Sequence, residues 1–90
     1  MATVRIPSSL RSFSQNREEV PAAGATVAAV LGELEKSCPG LSARLLDEKG
    51  GVRRYVNLFH NDEDIRFLQG LETKVAEGDR ISIVPAIAGG

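Results

Sequence analysis

The hydrophobic positions near the N-terminus follow a two-residue alternation, which predicts paired strands. Residues 3–6 alternate polar and apolar, which predicts a first strand with Val4 and Ile6 on its inner side. Residues 18–22 predict a second strand that forms a hairpin with the first. Pro21 lacks an amide hydrogen, so this second strand is expected at the edge of a sheet or to end near the proline.

A helical period replaces the alternation in the middle of the chain. Thr26 is a favourable N-cap, and the apolar residues behind it fall on one helix face, namely Val27, Val30, Leu31, Leu34 and Cys38. Pro39 and Gly40 predict the end of this helix. Residues 41–46 predict one further helical turn.

The second half of the chain returns to strand patterns. Residues 52–60 carry the strongest β signal, but their apolar positions are nearly continuous, so the period alone does not assign an inner face. Residues 65–67 predict a short strand, and the polar residues 8–16 and 47–51 predict loops. Residues 80–85 predict the last strand, whose two faces carry Ile81 with Ile83 and Ser82 with Val84.

The predicted order of elements is strand, strand, helix, strand, short strand, strand. This order is typical of an α+β layer in which one helix packs on a sheet. The length of 90 residues supports one domain with a single core. We expect residues 1–85 to form that domain and residues 86–90 to form a flexible tail, because the residues after Pro85 are too small to pack as a strand.

Charge and composition narrow the classes of partner. A hydrophobic fraction of 42% with 26% charged residues is typical of a soluble globular domain. The 11 basic residues are interspersed with 12 acidic ones, so we expect no nucleic acid partner. We also expect no membrane partner, because no segment approaches the roughly 20 apolar residues that a membrane span needs.

The single cysteine and the single histidine limit the redox and metal chemistry. Cys38 has no partner for an internal disulfide, and the N-terminus lacks the apolar region of a signal peptide, so we place the protein in the cytoplasm. We interpret Cys38 as a small hydrophobic residue at a helix end. One histidine and one cysteine provide no metal-ligand cluster, and we find no catalytic constellation and no phosphate-binding loop.

Several short motifs, in their order along the chain, resemble one known family. They are the pair Val56-Asn57, the turn at residues 77–79, the strand at residues 81–85 and the terminal Gly89-Gly90. With them the chain resembles the ThiS/MoaD family of sulfur carriers, and residues 56–67 are similar to the actinobacterial CysO type. The resemblance implies a ubiquitin-like β-grasp fold, in which a mixed sheet of four to five strands packs against one main helix.

The resemblance also implies a chemistry for the carboxylate of Gly90. An E1-like adenylyltransferase/sulfurtransferase would adenylate it with ATP, and a persulfide or sulfide would then displace AMP to leave a C-terminal thiocarboxylate. A sulfur-accepting synthase, either a cysteine synthase or a thiazole-synthase-like enzyme, would take the sulfur, and a metalloprotease could release the product. The carrier itself would bind no cofactor and catalyse nothing.

The tail and one strand face are the sites that this chemistry would use. Ala86, Ile87, Ala88 and Gly89 would give Gly90 access to the partner enzymes, since five extended residues span roughly 17 Å and glycine passes narrow channels. In relatives, apolar groups at this strand face dock the activating enzyme, so Val84, Phe59 and His60 are the expected docking residues. His60 departs from the apolar residue expected there, and an exposed histidine without a role is the alternative.

Two other functions are compatible with the same residues. An activated Gly90 could instead be attacked by an amine, which would make the protein a ubiquitin-like modifier joined to lysines of its targets. The third interpretation is a β-grasp interaction module in which the terminal glycines are incidental. The sequence does not identify the sulfur acceptor, although the CysO-like stretch favours cysteine synthesis.

Overall fold

A mixed sheet of five strands carries the fold in the computed structural model, which describes residues 1–54 and 56–85. The strands are β1 (Ala2–Arg5), β2 (Glu19–Ala22), β3 (Val56–His60), β4 (Glu63–Asp64) and β5 (Arg80–Pro85). Their order in the sheet is β2-β1-β5-β3-β4. Strands β1 and β5 run parallel, whereas the other neighbours are antiparallel. Strand β2 lies at an edge, as Pro21 predicts.

The helices follow the sequence pattern closely. The main helix α1 spans Val27–Ser37, and its N-cap Thr26 accepts a hydrogen bond from the amide of Ala29 at 3.2 Å. The short helix α2 spans Leu41–Leu45. The predicted start of the main helix, its end before Pro39 and the further turn are therefore confirmed. Three 3-10 segments complete the helical structure of the described residues, at Ser8–Ser14, Ile65–Phe67 and Gly70–Glu72.

The core lies between α1 and the inner face of the sheet. The predicted helix face is buried throughout, and Cys38 is fully buried with it, as a small hydrophobic residue at the helix end. The inner face of β3, which the sequence left open, consists of Val56 and Leu58, and Leu58 lies opposite Ile83 of β5. The α+β layer and the ubiquitin-like β-grasp arrangement are confirmed.

The prediction of a strand at residues 65–67 is wrong. The strand in this region is β4, and Ile65–Phe67 is a 3-10 turn that begins where the Asp64 side chain accepts a hydrogen bond from the amide of Arg66 at 2.9 Å. Asn61 and Asp62 both adopt positive φ, which makes a tight two-residue hairpin turn. The side-chain cap then stops the ladder after two residue pairs, because it favours a helical turn over extension.

Two other predicted boundaries change. Strand β3 begins at Val56 rather than at residue 52, because Val52 instead pairs with Leu46 in an isolated bridge. The predicted loop at residues 8–16 contains the 3-10 segment Ser8–Ser14, whose Leu10 and Phe13 pack against the core. Apolar residues three positions apart fit the three-residue turn of a 3-10 helix.

The expected flexible tail, residues 86–90, lies outside the described residues, so the division between domain and tail stays a prediction. Within the described part of the chain, no helix is long and apolar enough to cross a membrane.

Candidate functional site

The candidate site is the end of β5, from which the chain continues toward Gly90. Strand β5 is the central strand of the sheet, held between β1 on one side and β3 on the other. Pro85, its last residue, lies opposite Val56 of β3. The first half of β5 is paired on both edges, up to the pair of Arg5 with Ser82, and its last residues are paired with β3 alone. This pairing gives the end of β5 a defined position. The predicted sulfur-carrying and access residues lie outside the described residues, namely Gly90, Gly89, Ala88, Ile87 and Ala86.

The outer face of the sheet brings two predicted docking residues together. Val84 and Phe59 both project away from α1, and they are diagonal neighbours because Phe59 pairs with Ser82. Val84 is 43% exposed and Phe59 is half-buried. They help to line a groove of about 420 Å³ beside the end of β5. An apolar pair in an open groove is a surface that a partner protein can cover.

Charged residues from other segments complete this groove, and sequence analysis did not identify them. Arg5, Arg11 and Glu18 line it together with the apolar pair. The Arg5 guanidinium donates to Glu18 Oε1 at 3.2 Å, and Arg11 Nε donates to the carbonyl of Ile6 at 3.2 Å. These residues come from three segments that only the sheet and the following 3-10 turn place side by side. No local pattern in the sequence signals such a combination.

His60 does not join Val84 and Phe59. His60 lies two residues after Leu58 in β3 and pairs with Ile81 of β5, so it is on the side of β3 that faces the core. Its Nε2 lies 2.7 Å from Oδ2 of Asp79, and its side chain is 17% exposed. The structure therefore separates the three predicted docking residues into an outer pair and an inner histidine.

The partner of His60 is a carboxylate with several donors around it. The amide of Ala76 donates to Asp79 Oδ2 at 2.8 Å. This amide first, and then the side chains of Asn61 and His60, lower the pKa of Asp79 to about 2. The carbonyl of Asp79 in turn accepts a hydrogen bond from the amide of Thr3 at 2.9 Å. Asp79 is thus a structural junction between β1, β3 and the turn before β5.

The Cys38 thiol and the Glu35 carboxylate contribute to the structure. Burial raises the pKa of the Cys38 thiol, and the negative charge of Glu35 raises it further, whereas the positive charge of Arg17 lowers it. The net effect is an increase, so the protonated thiol is favoured. Glu35 accepts hydrogen bonds from the amides of Gly40 and Ser42, which lower its pKa and join α1 to α2. No group of three or more His, Cys, Asp or Glu residues in the described ranges could hold a metal ion.

Comparisons with known proteins agree with this architecture. The model of the ThiS family matches residues 4–90. The chain is 46% identical over 90 residues to the sulfur carrier protein CysO of Mycobacterium tuberculosis, covering 98% of this chain and 97% of that one.

Two solved structures are similar along the whole chain. The structure of the Amycolatopsis orientalis BexX/CysO complex contains a chain that superimposes with a TM-score of 0.94 at 42% identity, with full coverage of both chains. The small archaeal modifier protein 1 of Methanosarcina acetivorans superimposes with a TM-score of 0.84 at 32% identity, covering 99% of this chain and 95% of that one.

Proposed function

This chain belongs to the ThiS family, and on that premise we propose that it is a sulfur carrier whose reactive group is the carboxylate of Gly90. The observation that carries the proposal is the similarity along the chain: the ThiS family model extends to Gly90, and the chain is 46% identical to CysO over 98% of its length. The anchoring of β5 in the centre of the sheet supports it, because a carrier must present its terminus from a fixed base. The carrier would meet ATP and the activating enzyme in the cytoplasm.

The proposed reaction activates a poor electrophile. A Gly90 carboxylate oxygen attacks the α-phosphorus of ATP, and pyrophosphate leaves to give an acyl adenylate. The sulfur of hydrosulfide then attacks the acyl carbon, and AMP leaves with the former carboxylate oxygen. The product is a C-terminal thiocarboxylate. The E1-like enzyme would supply the catalytic groups and the bound ATP, while the carrier would supply the reacting carbon.

The described residues would serve this reaction by docking. Val84 and Phe59 would cover an apolar area of the activating enzyme, while the residues beyond Pro85 enter its active site. A reach of roughly 17 Å for five extended residues lets the docking surface and the reaction centre lie in different parts of the enzyme. Because Gly89 has no Cβ, it would pass through an entrance to the active site that is too narrow for other residues.

The next step of the proposed pathway is the transfer of the sulfur to an acceptor enzyme. Similarity to CysO favours a cysteine synthase, with a metalloprotease releasing the product. A thiazole-synthase-like enzyme is the second candidate, and the BexX/CysO complex supports only the general point that a CysO chain binds partner proteins. Incubating the thiocarboxylate form with each synthase and its substrate separates the two, since only the true acceptor consumes the thiocarboxylate. A cysteine synthase would leave a carrier–product adduct that the metalloprotease then hydrolyses to the carboxylate, whereas a thiazole-synthase-like enzyme would return the carrier to its carboxylate mass without a protease.

Intact-protein mass spectrometry tests the carrier function. The chain is incubated with ATP, sulfide and the E1-like enzyme of the same genome, and a mass change of one oxygen replaced by sulfur is expected. A variant that lacks Gly89 and Gly90 should remain unmodified, and Gly90→Ala should be impaired while its unfolding curve stays unchanged. An unmodified wild-type chain, or full modification of the deletion variant, would contradict the proposal.

The alternative function is a protein modifier, and the similarity to a small archaeal modifier protein favours it as second candidate. In that case Gly90 would form an isopeptide bond to lysines of other proteins. Digestion of a cell extract with trypsin and a search for the C-terminal remnant of this chain on lysines distinguishes the two functions. A thiocarboxylate without such remnants supports the carrier alone.

A further inference from the structure

A second groove lies on the helix side of the molecule, and the functions proposed above do not use it. It is lined by Phe13, Gly40, Ala43, Arg44 and Arg53 and has a volume of about 560 Å³. We refer to these five residues as the arginine groove. They come from the first 3-10 segment, the turn before α2, α2 itself and the loop before β3.

The two guanidinium groups of the arginine groove are held in place. The guanidinium carbon of Arg44 lies over the ring of Phe13, 5.4 Å from its centroid, which is the geometry of a cation–π contact. Arg53 Nε donates to the carbonyl of Ala43 at 3.1 Å. The terminal nitrogens of Arg53 form no hydrogen bond with residues 1–54 and 56–85, so they can bind a planar anion such as a carboxylate with two parallel hydrogen bonds.

Arg44 and Arg53 differ from Arg5 and Arg66, which are paired with acidic residues. Arg5 pairs with Glu18 and Glu19, and Arg66 pairs with Asp64. Within residues 1–54 and 56–85, by contrast, no Asp or Glu forms an ion pair with Arg44 or Arg53. No acidic side chain lines the arginine groove either. Its positive charge is therefore available to a partner of opposite charge.

The arginine groove lies at the end of the sheet where β5 ends. Arg53 precedes Val56 by three residues and its carbonyl accepts the amide of Val56, while Val56 pairs with Pro85. Phe13 follows β1, which is parallel to β5 and ends at the same edge. The arginine groove thus flanks the base of the tail on the helix side, whereas Val84 and Phe59 flank it on the outer face.

We propose that the arginine groove binds Asp or Glu side chains at the mouth of the channel through which the activating enzyme receives the tail. This inference rests on the proposed carrier function and adds a second contact to it. Carboxylates fit better than the ATP phosphates, because the reaction centre lies up to roughly 17 Å beyond Pro85 and an arginine side chain does not extend that far. Paired charges at the rim speed association and orient the carrier before the tail enters.

The test measures the rate of thiocarboxylate formation against carrier concentration with the E1-like enzyme of the same genome. The double variant Arg44→Glu and Arg53→Glu is compared with the matched variant Lys74→Glu and Arg80→Glu. The matched variant changes the net charge equally with exposed residues remote from Pro85: Lys74 lies beside Thr26, and Arg80 starts β5. The milder variant Arg44→Gln and Arg53→Gln serves if the reversed pair unfolds.

The expected result is a rise in KM of about tenfold for the reversed pair, with kcat within about twofold of wild type. The neutral pair should lie between the reversed pair and wild type, and the matched variant should retain the wild-type KM within about twofold. Added salt should raise the wild-type KM more than that of the reversed pair, because screening acts on charges that the variant lacks.

The outcomes separate the two proposals. If the wild type forms thiocarboxylate and the reversed pair has an unchanged KM, the carrier function stands and the arginine groove is not a docking surface. If the matched variant raises KM as much as the reversed pair, net charge alone acts and the groove is again refuted. A second carrier protein that the same enzyme is known to modify serves as a control for enzyme activity. If that control is modified and the wild-type chain forms no thiocarboxylate, the proposed function fails, and this inference fails with it.

Discussion

Ile65 and Phe67 show how the local backbone decides which side chains reach the core. In a strand these two residues would share a face, because side chains alternate with a period of two. They lie instead in a 3-10 turn, in which residues two positions apart point in different directions. Ile65 is consequently 2% exposed and Phe67 is 85% exposed. Of these two apolar residues, which are two positions apart, only Ile65 therefore contributes substantially to the stability of the domain.

We predict a large difference between truncations at these two positions. Ile65→Ala should lower the free energy of unfolding by about 2–5 kcal/mol, because it removes buried methyl groups and leaves a cavity. Phe67→Ser should change it by no more than about 0.5 kcal/mol, because the ring contributes little buried surface. Urea denaturation of both variants measures the difference. Comparable losses would mean that Phe67 is packed and that the 3-10 assignment is wrong.

At the scale of elements, the connection from β2 to α1 depends on a close approach of two backbone segments. A Cβ built on Gly24 would lie 2.6 Å from the amide nitrogen of Val30 and 2.9 Å from its Cγ2. Real side chains do not come this close to backbone atoms, so α1 would have to shift. Gly32, on the exposed side of α1, has no atom within 4 Å of the same position. The close packing therefore requires glycine at position 24, whereas position 32 has room for a larger side chain.

Substituting alanine at each glycine tests this distinction. Gly24→Ala should lower the free energy of unfolding by about 1–3 kcal/mol, because it forces the helix away from the connection. Gly32→Ala should raise it by about 0.5–1 kcal/mol, because alanine restricts the unfolded chain and favours the helix. Thermal unfolding followed by circular dichroism gives the sign of each effect. A stable Gly24→Ala variant would show that the connection can relax.

At the scale of the whole molecule, Asp79 connects parts of the chain that are distant in sequence. Its carboxylate contacts His60 at the end of β3 and the amide of Ala76, and its carbonyl binds the amide of Thr3 in β1. The turn that starts β5 is therefore held from both neighbouring strands. Because β5 also precedes Gly90, the proposed reactive group, this junction would contribute to the position from which that group is presented.

Asp79 gives the stability of the domain a defined acid dependence. Its pKa falls from 3.8 to about 2 in the folded state, so the folded state favours the charged form more than the unfolded state does. The stabilisation is fully present above the unfolded pKa, and it is lost as the pH falls toward about 2. We predict that Asp79→Asn is less stable than wild type at neutral pH and that the difference shrinks between about pH 4 and pH 2.

Urea denaturation across this pH range measures the effect. Asp62→Asn is a matched control, because Asp62 is an exposed acid in the neighbouring turn with no side-chain hydrogen bond among the described residues. It should leave the pH dependence unchanged. A constant difference between Asp79→Asn and wild type down to pH 2 would contradict the assigned role of the carboxylate.

What the sequence by itself determined is the local structure and the family of the chain. The start of α1 at Thr26, its buried face and the alternation of Ile81 and Ile83 with Ser82 and Val84 all follow from periods and caps within a few residues. The Gly-Gly end and the motif order identified the family. These features are local or ordered along the chain, so one sequence suffices to find them.

Only the tertiary structure decided which distant residues meet. It assigned the inner face of β3 through its register with β5, turned His60 toward Asp79, and ended the β4 ladder at a side-chain cap. It also assembled the arginine groove from segments that no sequence spacing relates. The physical reason is that register and packing are cooperative over the whole domain, whereas a period reports only the preference of its own segment.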